Sequence, residues 1–190
     1  MNIVLLGIQG SGKGTQAEIM AKRYNLVIFE MGQVFRRLAE EDSKLGKKIK
    51  SIVEHGKLVP AKIVVQVLKD FLDKTAPDQP IIFDGVPRNQ EQQRAFNLLM
   101  SRRKRHFRVV NIDIPEEETI KRLVKRMRHD DTPEIIRQRI RIFQKNTKPV
   151  IEKYRAKKLV TTINGDQSIE DVAAEIHRHL DSYFLKTHRN

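Results

Sequence analysis

Short apolar runs alternate with amphipathic helical patterns along the whole chain. The runs are bounded by Gly, Pro or charged residues, which is typical of strands buried on both faces of a sheet. Between them, apolar residues recur with the spacing of a helix that buries one side. This alternation predicts an α/β fold, a parallel sheet covered by helices. The predicted strands span residues 2–6, 26–29, 80–84, 108–113 and 159–163, and the predicted helices span residues 13–23, 32–41, 44–54, 61–74, 90–101, 116–127, 133–155 and 169–184.

The segment of residues 30–59 interrupts the alternation, because it carries two helical patterns with no strand between them. In an α/β protein such a segment is expected to stand away from the sheet as a small helical insertion. No repeat, low-complexity tract or linker divides the rest of the chain. Residues 1–190 are therefore interpreted as a single domain.

Composition limits the chemistry and the cellular location expected for the chain. The chain has no cysteine, which excludes disulfides, thiolate nucleophiles and Cys-ligated zinc. Residues 1–6 form an apolar run without a basic leader or a cleavage site, and no apolar stretch is long enough to span a bilayer. We therefore expect a cytoplasmic protein with no membrane partner.

A glycine-rich turn, Gly-Ile-Gln-Gly-Ser-Gly-Lys-Gly-Thr at residues 7–15, follows the first predicted strand and opens the first predicted helix. In this context the glycines let backbone N–H groups converge on phosphate oxygens, and the Lys13 side chain reaches the outer phosphates. The turn predicts a P-loop for a nucleoside triphosphate. Its expected ligands are Gly10, Ser11, Gly12, Lys13, Gly14 and Thr15.

Three further motifs make the chain resemble the adenylate kinase family. Residues 84–88, DGVPR, are similar to the family's DGFPR segment, and residues 56–59, GKLV, are similar to the stretch that lines the monophosphate base. The P-loop has the family's GxxGxGKGT form. The order of the family's phosphate-binding arginines and acidic pair is matched by Arg122, Arg126, Arg128, Asp130, Asp131 and Arg139. The resemblance implies a P-loop kinase core with a five-stranded parallel sheet flanked by helices, an NMP-binding insertion at residues 30–59 and a truncated, vestigial lid at residues 127–131.

The resemblance also implies a reaction, the transfer of the terminal phosphoryl group of ATP to AMP to give two ADP. No general base is required, because a phosphomonoester with a second pKa of about 6 is already largely dianionic at neutral pH. The reaction needs alignment and positive charge around the transferred group, which arginine supplies well. The implied catalytic residues are Lys13, Arg88, Arg126, Arg128 and Arg139.

Two nucleotide subsites and a metal site follow from the same resemblance. For ATP, Arg122 and Gln167 join the P-loop residues, with Arg122 stacked on the adenine. Asp84 ends an apolar strand, where a carboxylate needs a partner, and the partner implied is Mg²⁺ held through water with Thr15 nearby. ATP and a nucleoside monophosphate are the expected partners of a monomer. The implied acceptor residues are Met31, Arg36, Lys57, Leu58, Val59, Gly85, Arg88 and Gln92.

The acceptor segment departs from the family pattern, since Glu30, Met31 and Gln33 replace Ser, Thr and Asp. Met31 cannot donate the hydrogen bond that a Thr hydroxyl offers to adenine, which leaves open a UMP/CMP kinase or a kinase of broad specificity. Gln92 stands where the family's adenine-reading Gln is found and favours AMP. The scattered histidines are interpreted as surface residues.

Two alternative functions belong to other classes, a nucleic-acid-binding ATPase and a nucleotide-binding module without catalysis. The net charge of +13 and the basic cluster at residues 102–108 would suit a P-loop ATPase that binds nucleic acid. The cluster lies between a predicted helix and a predicted strand, which favours a solvated loop and no nucleic-acid partner. A degenerate nucleotide-binding module is disfavoured because Lys13, Arg88 and Arg139 are all present.

Overall fold

A computed structural model of the chain describes residues 1–126 and 132–184. Five parallel strands form one sheet in the order β2-β3-β1-β4-β5. All pairings are parallel, with Leu5 opposite Asp84 on one side of the central strand and opposite Val110 on the other. This arrangement confirms the predicted fold class. The strands are β1 (Asn2–Leu6), β2 (Val27–Glu30), β3 (Ile81–Asp84), β4 (Phe107–Asp113) and β5 (Val160–Asn164).

The helices lie within a residue of the predicted bounds, with one exception. The helix predicted at residues 133–155 is divided by a π-helical turn, Phe143–Thr147. Pro149 follows this turn and lacks the N–H that an uninterrupted α-helix would use, so a wider turn at this point fits the sequence. The helices are α1 (Lys13–Tyr24), α2 (Met31–Glu40), α3 (Lys44–Glu54), α4 (Ala61–Asp73), α5 (Gln90–Arg102), α6 (Glu116–Arg126), α7 (Pro133–Ile142), α8 (Lys148–Ala156) and α9 (Ile169–Phe184).

Each face of the sheet has its own apolar core. Along β1, Ile3 and Leu5 point to the face covered by α1 and α9, whereas Val4 and Leu6 point to the face covered by α4, α5, α7 and α8. All four side chains are almost fully buried. The two cores hold the carboxyl ends of the central strands in place, and the site described below lies at these ends.

Helices α2 and α3 follow one another without an intervening strand and pack closely on each other. Their assignment as the NMP-binding insertion of residues 30–59 stays a prediction. The truncated lid at residues 127–131, with Arg128, lies outside the described residues. No helix in the described part of the chain is both long enough and apolar enough to cross a membrane.

Two interpretations of basic residues need correction. Arg105, placed by its sequence neighbours in a solvated loop, is 8% exposed and donates hydrogen bonds to the carbonyl oxygens of Ala76 (2.6 Å) and Gln79 (2.8 Å). The sequence gives no sign of this because the acceptors come from a distant loop. His177, interpreted as a surface residue, is partly buried and its Nε2 is enclosed between α1 and α9.

Candidate active site

A cleft of about 500 Å³ opens at the carboxyl ends of β1, β2 and β3. In open α/β sheets, ligands bind in this position, where neighbouring connections leave on opposite faces. The cleft brings together most of the predicted site residues from six separate parts of the chain. They are Gly10, Gly12, Lys13, Gly14, Thr15, Met31, Arg36, Lys57, Leu58, Val59, Asp84, Gly85, Arg88, Gln92, Arg122, Arg126 and Arg139.

Two predicted residues of the described part of the chain, Ser11 and Gln167, are not among those lining the cleft. Ser11 is a buried residue of the P-loop, and its Oγ accepts a weak hydrogen bond from Lys13 Nζ (3.3 Å). Gln167 is exposed in the loop before α9 and donates to the carbonyl oxygen of Asn164 (2.8 Å) and to Glu175 Oε2 (2.9 Å). Arg128 belongs to the segment that the structure does not describe.

The side chain of Lys13 folds back over the backbone of the P-loop. Gly12 precedes α1 with φ of 91°, a left-handed conformation that favours glycine. The Lys13 amine donates a hydrogen bond of 2.7 Å to the carbonyl oxygen of Ile8. The pKa of Lys13 is lowered to about 8, chiefly by burial, with Asp84 opposing the shift and the nearby guanidinium groups of Arg88 and Arg126 adding to it. A phosphate bound beside the amine would raise its pKa again, because the negative charge favours the protonated form.

The turn after β3 fixes Asp84 and Arg88 beside Lys13. Gly85 has φ of 78°, and its carbonyl oxygen accepts a hydrogen bond of 2.8 Å from Arg88 Nε. Thr147 Oγ1, from the π-helical turn, donates to the carbonyl oxygen of Arg88 (2.9 Å). Burial raises the pKa of Asp84, which is 7% exposed, and lowers that of Arg88, while the attraction between the two opposes both shifts.

Gln92 is 3% exposed and has a fixed amide orientation. Its Nε2 donates to the carbonyl oxygen of Val59 (2.9 Å), and its Oε1 accepts a hydrogen bond from the backbone N–H of Arg88 (2.7 Å). A carbonyl can only accept and a backbone N–H can only donate, so the amide cannot be reversed without losing both bonds. One N–H and one lone pair of the amide remain for a ligand.

The acceptor side of the cleft contains a charged contact that sequence reasoning missed. Glu30 Oε1 accepts a hydrogen bond of 2.9 Å from Arg36 Nη2. Glu30 ends β2 and is the register partner of Asp84 on β3. Two carboxylates therefore lie side by side at the carboxyl ends of these strands. The signal was present, because parallel strands bring their carboxyl ends together and both strands end on an acid.

Helix α6 carries Arg122 and Arg126 to the opposite side of the cleft. It packs on the P-loop, with Leu123 close to Gly10. Arg122 Nε donates to Glu118 Oε1 (2.7 Å), and Arg122 Nη2 lies 3.8 Å from Asp166 Oδ1 in the loop that also holds Gln167. Arg139 from α7 is 9% exposed and lines the same cleft.

The side chains proposed for Mg²⁺ offer oxygen atoms, the ligand type that suits this ion. Asp84 offers a buried carboxylate whose raised pKa a divalent cation would lower, and the exposed Thr15 offers a hydroxyl on the same cleft. Both are oxygen ligands of the sort Mg²⁺ prefers. Within residues 1–126 and 132–184 no group of three or more His, Cys, Asp or Glu side chains could hold a metal by itself. Phosphate oxygens of a nucleotide and water would complete the coordination of an ion held there.

A phosphate-binding loop between a buried strand and a helix, at the carboxyl edge of a parallel sheet, defines a P-loop α/β protein. A family model described as adenylate kinase matches residues 5–159. "Adenylate kinase 1" of Nostoc sp. is 37% identical over 182 residues, covering 95% of this chain and 98% of the relative. The adenylate kinases of Azobacteroides pseudotrichonymphae and Staphylococcus aureus are 33% and 32% identical, covering 97% and 95% of this chain and 99% of each relative. The chain belongs to the adenylate kinase family of phosphotransferases, which confirms the resemblance.

Proposed function

We propose that the chain transfers the terminal phosphoryl group of ATP to AMP and forms two ADP. The observation that carries the proposal is the single cleft that holds the P-loop at one end and the Val59–Gln92 pair at the other, with Lys13, Arg88 and Arg139 lining it. Donor and acceptor phosphates bound at the two ends would meet among these cations. The relatives named adenylate kinase support the same reaction.

The proposed mechanism rests on positioning and charge. Arg36 and Arg88 hold the acceptor phosphate, and Lys13 with Arg126 and Arg139 surrounds the transferred group, because its equatorial oxygens carry the negative charge of the transition state. Arg88 is already oriented by Gly85 and Thr147 before a ligand binds. Bound Mg²⁺, held through water by Asp84 and Thr15, would neutralise charge on the phosphate oxygens of ATP. Arg128 and Gln167 keep their assigned roles as predictions from the sequence.

The fixed amide of Gln92 supports AMP as the preferred acceptor. Its remaining N–H can donate a hydrogen bond to a ring nitrogen, and its remaining lone pair can accept a hydrogen bond from an exocyclic amine. Adenine presents this pair, and so does the smaller cytosine, whereas uracil and guanine present the reverse pattern. Leaving a buried polar group unpaired costs about 1–3 kcal/mol. AMP should therefore be best, CMP second, and UMP and GMP poor acceptors.

A panel of AMP, CMP, UMP and GMP, each with ATP and Mg²⁺ and with analysis of products, tests the proposal. Gln92→Ala should reduce kcat/KM for AMP and CMP more than for UMP and GMP. Gln93→Ala is a matched control, because Gln93 is a buried amide on the same helix that donates to the carbonyl oxygen of Val150 (3.2 Å), outside the cleft. Transfer to UMP or GMP as efficient as transfer to AMP would refute the role of the amide.

The basic cluster gives the nucleic-acid-binding alternative less support than its charge suggests, because three of its cations have partners within the fold, while Arg102, Lys104 and His106 are exposed. Besides the buried Arg105, Arg103 pairs with Asp73, and the Arg108 guanidinium lies 4.9 Å from the centre of the Tyr183 ring. These contacts favour a role of the cluster in stability. A cytoplasmic location and a monomeric state stay predictions from the sequence.

A further inference from the structure

The Glu30–Arg36 pair occupies the place where an acceptor phosphate is proposed to bind. Both residues line the cleft, and their side chains are 35% and 38% exposed. The pair lies against the backbone of Gly32, where an added Cβ would lie 3.2 Å from Arg36 Nη1 and 3.6 Å from Glu30 Oε1.

The Glu30 carboxylate acts on the whole phosphate end of the cleft. Its negative charge is close enough to raise the pKa values of Lys13, Asp84 and Arg88, although burial is the largest influence on each. An acceptor phosphate brings about two further negative charges to this location at neutral pH. It must then either displace Glu30 from Arg36 or share the guanidinium with it, against repulsion from the carboxylate.

We propose that Glu30 sets the affinity of the acceptor subsite by competing with the nucleotide's phosphate for Arg36. The inference rests on the proposed function, in which Arg36 holds that phosphate. Without acceptor, Glu30 keeps Arg36 at the edge of the cleft. With acceptor bound, the carboxylate weakens the complex and promotes release of the nucleotide from this subsite.

Glu30→Gln tests the proposal, since the amide keeps the size and the acceptor oxygen but removes the charge. The variant should bind AMP about two- to fivefold more tightly and lower the KM for AMP by a similar factor, the range measured for partly exposed ion pairs. Adenosine has no phosphate, so its affinity should not change. Glu40→Gln, an exposed charge removal at the end of helix α2, which also carries Arg36, serves as the control for net charge.

Arg36→Ala separates this proposal from the function on which it rests. If Arg36→Ala weakens AMP but not adenosine, while Glu30→Gln leaves AMP unchanged or weakens it, competition by Glu30 is refuted and the role of Arg36 stands. If Arg36→Ala leaves AMP binding unchanged, the proposed phosphate site itself fails, and the Glu30 proposal with it. Glu30→Gln should also tighten AMP less in the Arg36→Ala background than in the parent. An equal effect in both backgrounds would show that Glu30 does not act through Arg36.

Discussion

Lys13 differs from the other lysines in the described part of the chain, because its amine is enclosed among charged groups at the cleft. Its amine is enclosed by the P-loop and lies near two guanidinium groups, so its pKa falls to about 8 in the free protein. A bound triphosphate would add further negative charge beside the amine. The residue is therefore well placed to contribute to phosphate binding and transfer and poorly placed to contribute to stability.

Lys13→Ala should lower the rate of phosphoryl transfer by about 100-fold or more, the usual cost of removing one group that stabilises transition-state charge. Arg88→Ala should have an effect of similar size. Both variants should unfold at temperatures close to that of the parent, because each removes a cation that burial disfavours. Lys22→Ala, an exposed lysine on the same helix as Lys13, is the control and should transfer normally. Near-normal turnover by folded Lys13→Ala would overturn the assignment.

Met31 has two roles that a mutation must separate. It is 2% exposed and belongs to the core cluster, and it also lines the acceptor end of the cleft. Met31→Thr should therefore destabilise the protein by about 2 kcal/mol through lost packing. If the new hydroxyl reaches the base, discrimination of AMP against UMP should rise by up to about 1 kcal/mol.

The matched variant is Met31→Val, which has nearly the shape of Thr and no hydroxyl. Thermal unfolding measures the packing loss common to both variants, and the ratio of kcat/KM values for AMP and UMP measures the hydroxyl alone. Equal ratios for Thr and Val would show that position 31 does not limit recognition of the base.

At the scale of elements, the π-helical turn between α7 and α8 connects the helices to the catalytic cleft. Thr147 ends this turn, is 5% exposed, and donates its hydroxyl to the backbone of Arg88. In an uninterrupted α-helix, the residues after Phe143 would face other directions. The π-helical turn therefore places the Thr147 hydroxyl where it holds the backbone of Arg88, although the turn itself carries no proposed catalytic residue.

Thr147→Val should lower kcat/KM for the forward reaction by roughly fivefold, corresponding to about 1 kcal/mol for the lost hydrogen bond. Thr75→Val is the control, since its Oγ1 donates to the carbonyl oxygen of Phe71 (2.8 Å) at the end of α4, outside the cleft. Both variants should lose similar stability, measured by denaturant unfolding. A purely structural role for Thr147 predicts that the two variants also keep the same kcat/KM.

At the scale of the molecule, the periodicity of the sequence predicted the α/β class and every described strand to within a residue or two. Local motifs then predicted which residues would line the cleft, because the P-loop and the DGVPR segment both follow buried strands. Two of the features that sequence reasoning missed depend on long-range partners: the position of Glu30 beside Asp84 needs the β2–β3 register, and Arg105 needs acceptors from a distant turn. The Glu30–Arg36 contact is local, between residues six positions apart. The π turn was also missed, since its pattern of apolar positions continues that of an α-helix.

The packing of the last described helix on the P-loop helix makes the stability of the whole molecule depend on pH. Tyr24 and Arg23 of α1 both donate to Asp181 of α9, over 2.6 Å and 2.9 Å. Beside them, burial lowers the pKa of His177 below 6.5, Arg23 lowers it further, and Asp181 opposes. Its Nε2 has no hydrogen-bond partner among the described residues.

The direction of the effect follows from proton linkage. The unfolded chain takes up a proton on His177 near pH 6.5, whereas the folded protein resists it, so the free energy of unfolding should decrease as the pH falls from 6.5 through the lowered pKa. Asp181 also has a lowered pKa, but it titrates below its ordinary value of 3.8 and does not contribute in this window. Thermal unfolding at pH 7.5, 6.0 and 5.0 should show a loss of stability that is smaller in His177→Gln. His179→Gln, an exposed histidine of the same helix, should keep the slope of the parent. If His177→Gln and the parent lose stability in parallel, the pH dependence arises elsewhere in the molecule.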